Sequence, residues 1–176
     1  MHRDPMRVTL GLAAWALEQG ELPIAAHVVL DGGDQIAVIA WATTAEWREG
    51  RRLVHAELLA LDSADRLRPF PGRRGDAVLY TNLEPCPMCL GAAMSFGVGA
   101  VCYALESPSD GAVALFRDWR RDENEMPGYR LPEIHGPEAF GAALRDESIA
   151  LFRRYADEQP PGPLRDWALT LARPAR

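Results

Sequence analysis

Four side chains in this sequence have types and spacings suited to one piece of chemistry. His55 and Glu57 stand two apart in "VHAELLALDSA", an imidazole and a carboxylate at the head of an otherwise apolar run. Neither is a natural choice for burial, because each brings a polar group that must be satisfied there. Cys86 and Cys89 stand three apart in "LEPCPMCLGAA", at the first turn of a second expected helix, so both thiols fall on one helical face. A helix N-terminus offers unpaired N–H groups and the positive end of the dipole, which favours thiolate. Pro85 and Pro87 suit a helix start, where a missing N–H costs little.

Two thiolates and a neutral imidazole are good ligands for zinc. Structural zinc sites close with four protein ligands, whereas catalytic ones keep a position for water. The third cysteine, Cys102, lies mid-strand in "AVCYAL", where a small buried thiol fits better than a ligand. The count therefore predicts one open, catalytic zinc on His55, Cys86 and Cys89. Such an ion, neutralised by its two thiolates, acidifies water less than one held by three histidines, so a separate proton acceptor is useful. Glu57, just past the imidazole, is placed to be that acceptor. A lone H-x-E or a lone C-x-x-C is weak, and redox chemistry is the chief rival for the latter. The ordered set H-x-E, strand, P-C-x-x-C is far more specific.

The elements that must position these groups follow from hydrophobic periodicity. Met6 to Gln19 reads as a helix stopped by Gly20. "IAAHVVL" and "QIAVIAWAT" flank "DGGD" as a hairpin, and "TAEWREGRR" reads as a surface loop. A helix from Val54 to about Leu67, a strand over Ala77–Asn82, the cysteine helix and the strand "AVCYAL" come next. A long polar connection leads to "LPEIHG", a fifth strand weakened by Pro132 and Glu133, and to a helix over Glu138–Asp157. The sum is an α/β three-layer sandwich. Its mixed five-stranded sheet opens with an antiparallel hairpin, continues in parallel, and carries helices on both faces. Residues 1–158 are read as one domain, and 159–176 as a Pro-rich linker with a short final segment. In open α/β sheets, sites form where strands end and helices begin, and both unusual stretches start helices.

Composition narrows the chemistry. With 176 residues the chain is long enough for one full core. It contains no lysine, which excludes Schiff-base, pyridoxal-phosphate and phosphate-loop lysine chemistry. A net charge of −6 argues against nucleic acid as the main partner. No apolar run is long enough to span a bilayer, no leader is visible, and the few unpaired cysteines fit a reducing compartment. A cytoplasmic protein without a membrane partner is expected.

The segments "HAELLAL" and "TNLEPCPMCLGAAM" resemble the cytidine and deoxycytidylate deaminase superfamily, whose zinc enzymes carry H-x-E and P-C-x-x-C. They are most similar to its branch of tRNA adenosine deaminases and guanine deaminases, over roughly Pro23 to Tyr103. The resemblance implies a cytidine deaminase-like fold and one Zn2+ per chain on His55, Cys86 and Cys89. It implies Glu57 as the shuttle that passes a proton from water to the ring nitrogen and the departing ammonia. It also implies base contacts from the backbone of Ala56 and from carbonyls around Leu83 and Glu84, and a homodimer.

The sequence departs from that pattern at several points. "IAWATT" lacks an asparagine often found near the end of the second strand, and Asn82 stands where a hydroxyl or small residue is usual. Asp110, or less so Glu106, could read a base, although a solvated loop carboxylate is the plainer role for Asp110. Trp41, Trp47, Phe116 and Trp119 could stack on a base or merely pack. His27 and His135 are read as structural. The expected activity is hydrolytic deamination of a nucleobase, nucleoside or related heterocycle. The alternatives are a tRNA wobble adenosine deaminase and a catalytically silent zinc-binding subunit.

Overall fold

The computed structural model describes residues 4–31, 36–67, 74–118 and 130–172. Helix α1 (Pro5–Glu18) begins where the Asp4 side chain accepts the Met6 N–H at 3.0 Å, with proline in the first turn. Strands β1 (Ala25–Asp31) and β2 (Ile36–Thr43) form the expected antiparallel hairpin, with a bulge between Val28 and Val29. Strand β3 (Arg74–Thr81) runs antiparallel to β1, while β4 (Val98–Tyr103) and β5 (Glu133–His135) continue in parallel. The strand order is β2-β1-β3-β4-β5, the mixed five-stranded sheet expected from the sequence.

One face of the sheet carries helices α3 (Ala56–Leu67), α4 (Pro87–Phe96) and α5 (Val113–Asp118). Their contacts are built from small side chains: Ala56, Ala60, Ala64 and Ala93 are buried against Val28, Leu79 and Val101. Small residues let α3 and α4 lie close to the sheet and to each other, which brings their N-termini together. The opposite face is covered by α1 and α6 (Ala142–Glu158), through Met6, Leu10, Cys102 and Leu144. His27 is buried on this side, stacked on Tyr80 with its Nδ1 3.0 Å from the Thr9 hydroxyl. Burial lowers its pKa to about 4, so the ring is neutral and structural, as read from the sequence.

Two expectations are corrected. The polar stretch after Thr43 contains a single helical turn, α2 (Glu46–Glu49), because the buried Glu21 carboxylate accepts the Trp47 and Arg48 N–H groups at 3.3 and 2.8 Å. The helix expected over Glu138–Asp157 is interrupted: a 3-10 turn (Pro137–Ala139) ends at Gly141, whose φ of +82° suits glycine, and α6 begins after it. The final segment, read as following a Pro-rich linker, carries a helix. Helix α7 (Pro163–Leu171) packs on α6 and buries Ala168, Leu171 and Ala172 in a core with Leu17, Leu83, Leu105 and Phe152. The described part of 159–176 thus belongs to the same packed unit as the residues before it. No helix among the described residues is long and apolar enough to cross a membrane.

Candidate active site

His55 lies at the start of α3, where its carbonyl accepts the Leu59 N–H at 3.0 Å. Cys86 is the residue capping α4, its carbonyl accepting the Leu90 N–H at 2.9 Å, and Cys89 lies in the first turn. The two helix starts converge. The Cys86 and Cys89 sulfurs are 3.5 Å apart, and each is 3.6 Å from His55 Nδ1. A tetrahedral zinc with Zn–S near ~2.3 Å and Zn–N near ~2.0 Å spaces its ligands by roughly 3.5–3.8 Å, so the triangle fits that ion. Among the described residues this is the one group of three or more His, Cys, Asp or Glu side chains close enough to share a metal.

The protonation of the triangle follows from its own hydrogen bonds. The hydrogen bond between the two sulfurs, helped by His55, holds the Cys86 pKa down at about 4. The same bond and burial raise the Cys89 thiol, and the hydrogen bond with Cys86 raises His55. The contacts within the triangle thus favour the thiolate at Cys86, the form in which a cysteine binds a metal.

Glu57 is one residue past Ala56 and only 4% exposed. Its Oε1 accepts the Thr81 hydroxyl at 3.2 Å and its Oε2 lies 3.4 Å from Cys89 Sγ. Burial raises its pKa, as expected for a carboxyl held out of water. Thr81, the last residue of β3, went unnoticed in the sequence; it fixes the carboxylate beside the triangle without competing for metal.

A cavity of about 410 Å³ opens onto this cluster, lined by His55, Ala56, Glu57 and Cys86. Leu83 and Glu84 also line it. The Glu84 carboxylate has a further task, accepting the Ser107 and Val113 N–H groups at 3.1 and 3.0 Å. Gly111 is required for this clamp, since a Cβ there would overlap the Glu84 carboxylate. Asp110 lines the cavity as well, its Oδ2 accepting the Trp167 indole N–H and the Ser109 hydroxyl, the latter at 3.0 Å.

Two residues read as substrate contacts, Asn82 and Trp41, do not line the cavity. Asn82 is fully buried and spent on the fold: its Oδ1 accepts the Ala25 N–H at 2.9 Å, and its Nδ2 donates to Pro23 O at 2.9 Å and to Ser148 Oγ at 3.3 Å. We expect Asn82→Ala to cost about 2–4 kcal/mol of stability, because three buried partners lose their mate. Chemical denaturation with the zinc content held constant checks this. Trp41 is 52% exposed and sits edge-on to Trp15 at 6.2 Å, on the α1 side of the sheet, away from the cavity. Strand alternation puts it in register with His27, on the face opposite α3 and α4. Trp47 is exposed, and Phe116 packs against the core; Trp119 lies outside the described residues.

The family description "cytidine and deoxycytidylate deaminase zinc-binding region" matches residues 1–105. The chain belongs to the cytidine and deoxycytidylate deaminase family. Its metal centre is then the family's single zinc site, on His55, Cys86 and Cys89. Among curated relatives of this deaminase-family chain, the tRNA(Ile)-lysidine synthase of Deinococcus radiodurans is 34% identical over 166 residues, a match taking in 91% of this chain. The chain spans only 27% of that relative's length. A solved tRNA:A34 deaminase superposes with a TM-score of 0.68 at 26% identity, covering 84% of this chain and 97% of that one. The guanine deaminase of Nitrosomonas europaea superposes with a TM-score of 0.62 at 28% identity, covering 86% and 82%.

Proposed function

We propose that this chain is a hydrolytic deaminase of a free nucleobase, a nucleoside or a heterocyclic amine of similar size. The net reaction takes water and a ring C–NH2 to a ring C=O and ammonia. A zinc ion on His55, Cys86 and Cys89 would supply Lewis acidity toward a water molecule at its open position. Glu57 takes one proton from water and passes it to the ring nitrogen. It then takes the second from the hydroxyl added to the ring carbon and delivers it to the departing amine as the C–N bond breaks and the C=O forms. Thr81 keeps the carboxylate aimed at the cluster during these transfers. Ala56, Leu83 and Glu84 hold the base against them.

The observation that carries the choice of a small substrate is the charge of the cavity. Among the described residues, Glu46, Glu57, Glu84 and Asp110 line it against a single arginine, Arg52. A polyanion would meet repulsion there, whereas an uncharged base rich in N–H donors would not. The second reading, deamination of a tRNA wobble adenosine, is favoured by the likeness to the tRNA:A34 deaminase. A silent subunit is the weakest of the three, because a structural zinc gains nothing from a carboxylate buried at a desolvation cost beside it. The three cysteines are free, in keeping with a cytoplasmic protein, and a homodimer is part of the same reading, open to sedimentation velocity.

The test is ammonia release from adenine, guanine and cytosine and their nucleosides, beside a gel shift with an anticodon stem-loop at rising salt. We expect turnover of at least one small amine and no salt-sensitive complex. Deamination of the stem-loop alone would overturn the small-substrate reading.

A further inference from the structure

We propose that helix α7 sets the size limit of the substrate, with Leu164 and Trp167 as a fixed wall latched by Asp110. This deepens the small-substrate reading and rests on it. Leu164 and Trp167 are three residues apart and so share one face of α7, and both line the cavity that reaches His55 and Glu57. The helix has another apolar side, Ala168 and Leu171, which it buries in the core. Leu164 is not needed there and remains 38% exposed, a large apolar side chain facing the cavity.

Trp167 is oriented from two directions. Its indole N–H donates to the Asp110 carboxylate, 57 residues earlier in the β4–α5 connection, and its ring meets Phe152 edge-on at 5.8 Å. The rest of α7 is tied to α6 through Arg165 Nε to Ala156 O at 3.2 Å and Arg153 Nη2 to Ala172 O at 3.1 Å. The wall is therefore part of the packed structure, and it selects by shape. It presents an aromatic ring and a leucine to a flat heterocycle, which suits a ring small enough to enter whole. A base still joined to a polynucleotide would have to bring its backbone past α7.

The experiment uses zinc-loaded protein and a size series of one base: free base, nucleoside, 5′-monophosphate and a stem-loop. Binding is read by calorimetry and turnover by ammonia release. Wild type should favour the smaller members. Leu164→Ala and Trp167→Ala should raise KM for the preferred small amine about ten-fold with kcat little changed. They should also bring the larger members at least ten-fold closer to it in kcat/KM. Trp167→Phe, which keeps the ring and loses the latch, should fall between. Leu164→Ala keeps the result readable if removing Trp167 unsettles the core. An unchanged size preference in both alanine variants, or a wild type that binds no member, overturns the wall. A wild type that binds the small members with the expected size preference but releases no ammonia overturns the deaminase reading instead.

Discussion

Replacing Glu57 with glutamine should stop ammonia release while zinc content and folding stay as they were. The loss expected for a positioned proton shuttle is about 10²–10⁴-fold, and the upper end is expected here, because in the proposed mechanism the same carboxylate serves water, ring nitrogen and leaving amine. Glutamine keeps the shape and can still accept the Thr81 hydroxyl, so the variant removes the proton chemistry and little else. Stability should not fall. Glu57 is nearly fully buried, and its desolvation raises its pKa, so the folded protein holds this group at a cost that an uncharged amide reduces. A thermal melt at or above that of wild type, with unchanged zinc by elemental analysis and no turnover, is the expected set. Persisting turnover would remove Glu57 from the mechanism, and lost zinc would make it a ligand.

The chemistry of this site was legible in the sequence because it is local. His55 with Glu57, and Cys86 with Cys89, are pairs whose spacing on a helix start already fixes which atoms share a face. Their meeting follows from α3 and α4 packing through alanines, which the residue types also announce. What could not be read depends on contacts across the chain. Asn82 looks like a site residue because it borders the cysteine motif, yet its partners are at Pro23, Ala25 and Ser148. Trp41 lies on the sheet face away from the cavity through strand parity, since it is in register with His27. Helix α7 looks like a tail beyond "EQPPGP" until Asp110 and Phe152 are seen to hold Trp167. Buried Glu21 turns a polar loop into α2 by accepting N–H groups more than twenty residues away, a pairing no local pattern contains.

Chelating the zinc should lower the melting temperature by roughly 8–16 °C and leave the fold intact. Free metal at a thousand times its Kd stabilises the native state by about 4 kcal/mol, and a chain of this length shifts by about 2–4 °C per kcal/mol. The effect is large because the ion ties the starts of α3 and α4 to each other, and both ends carry site residues. It falls short of unfolding because the core under α3 and α4 is held by alanines packed against the sheet and not by the ligand side chains. Circular dichroism should therefore keep its native form after chelation, and added zinc should restore both the melting temperature and turnover. Cys86→Ser should show the lowered melting temperature with no recovery on adding zinc, because the ligand itself is gone. Complete unfolding on chelation would mean that the metal holds the core, and an unchanged melt would mean that it does not bind at the triangle.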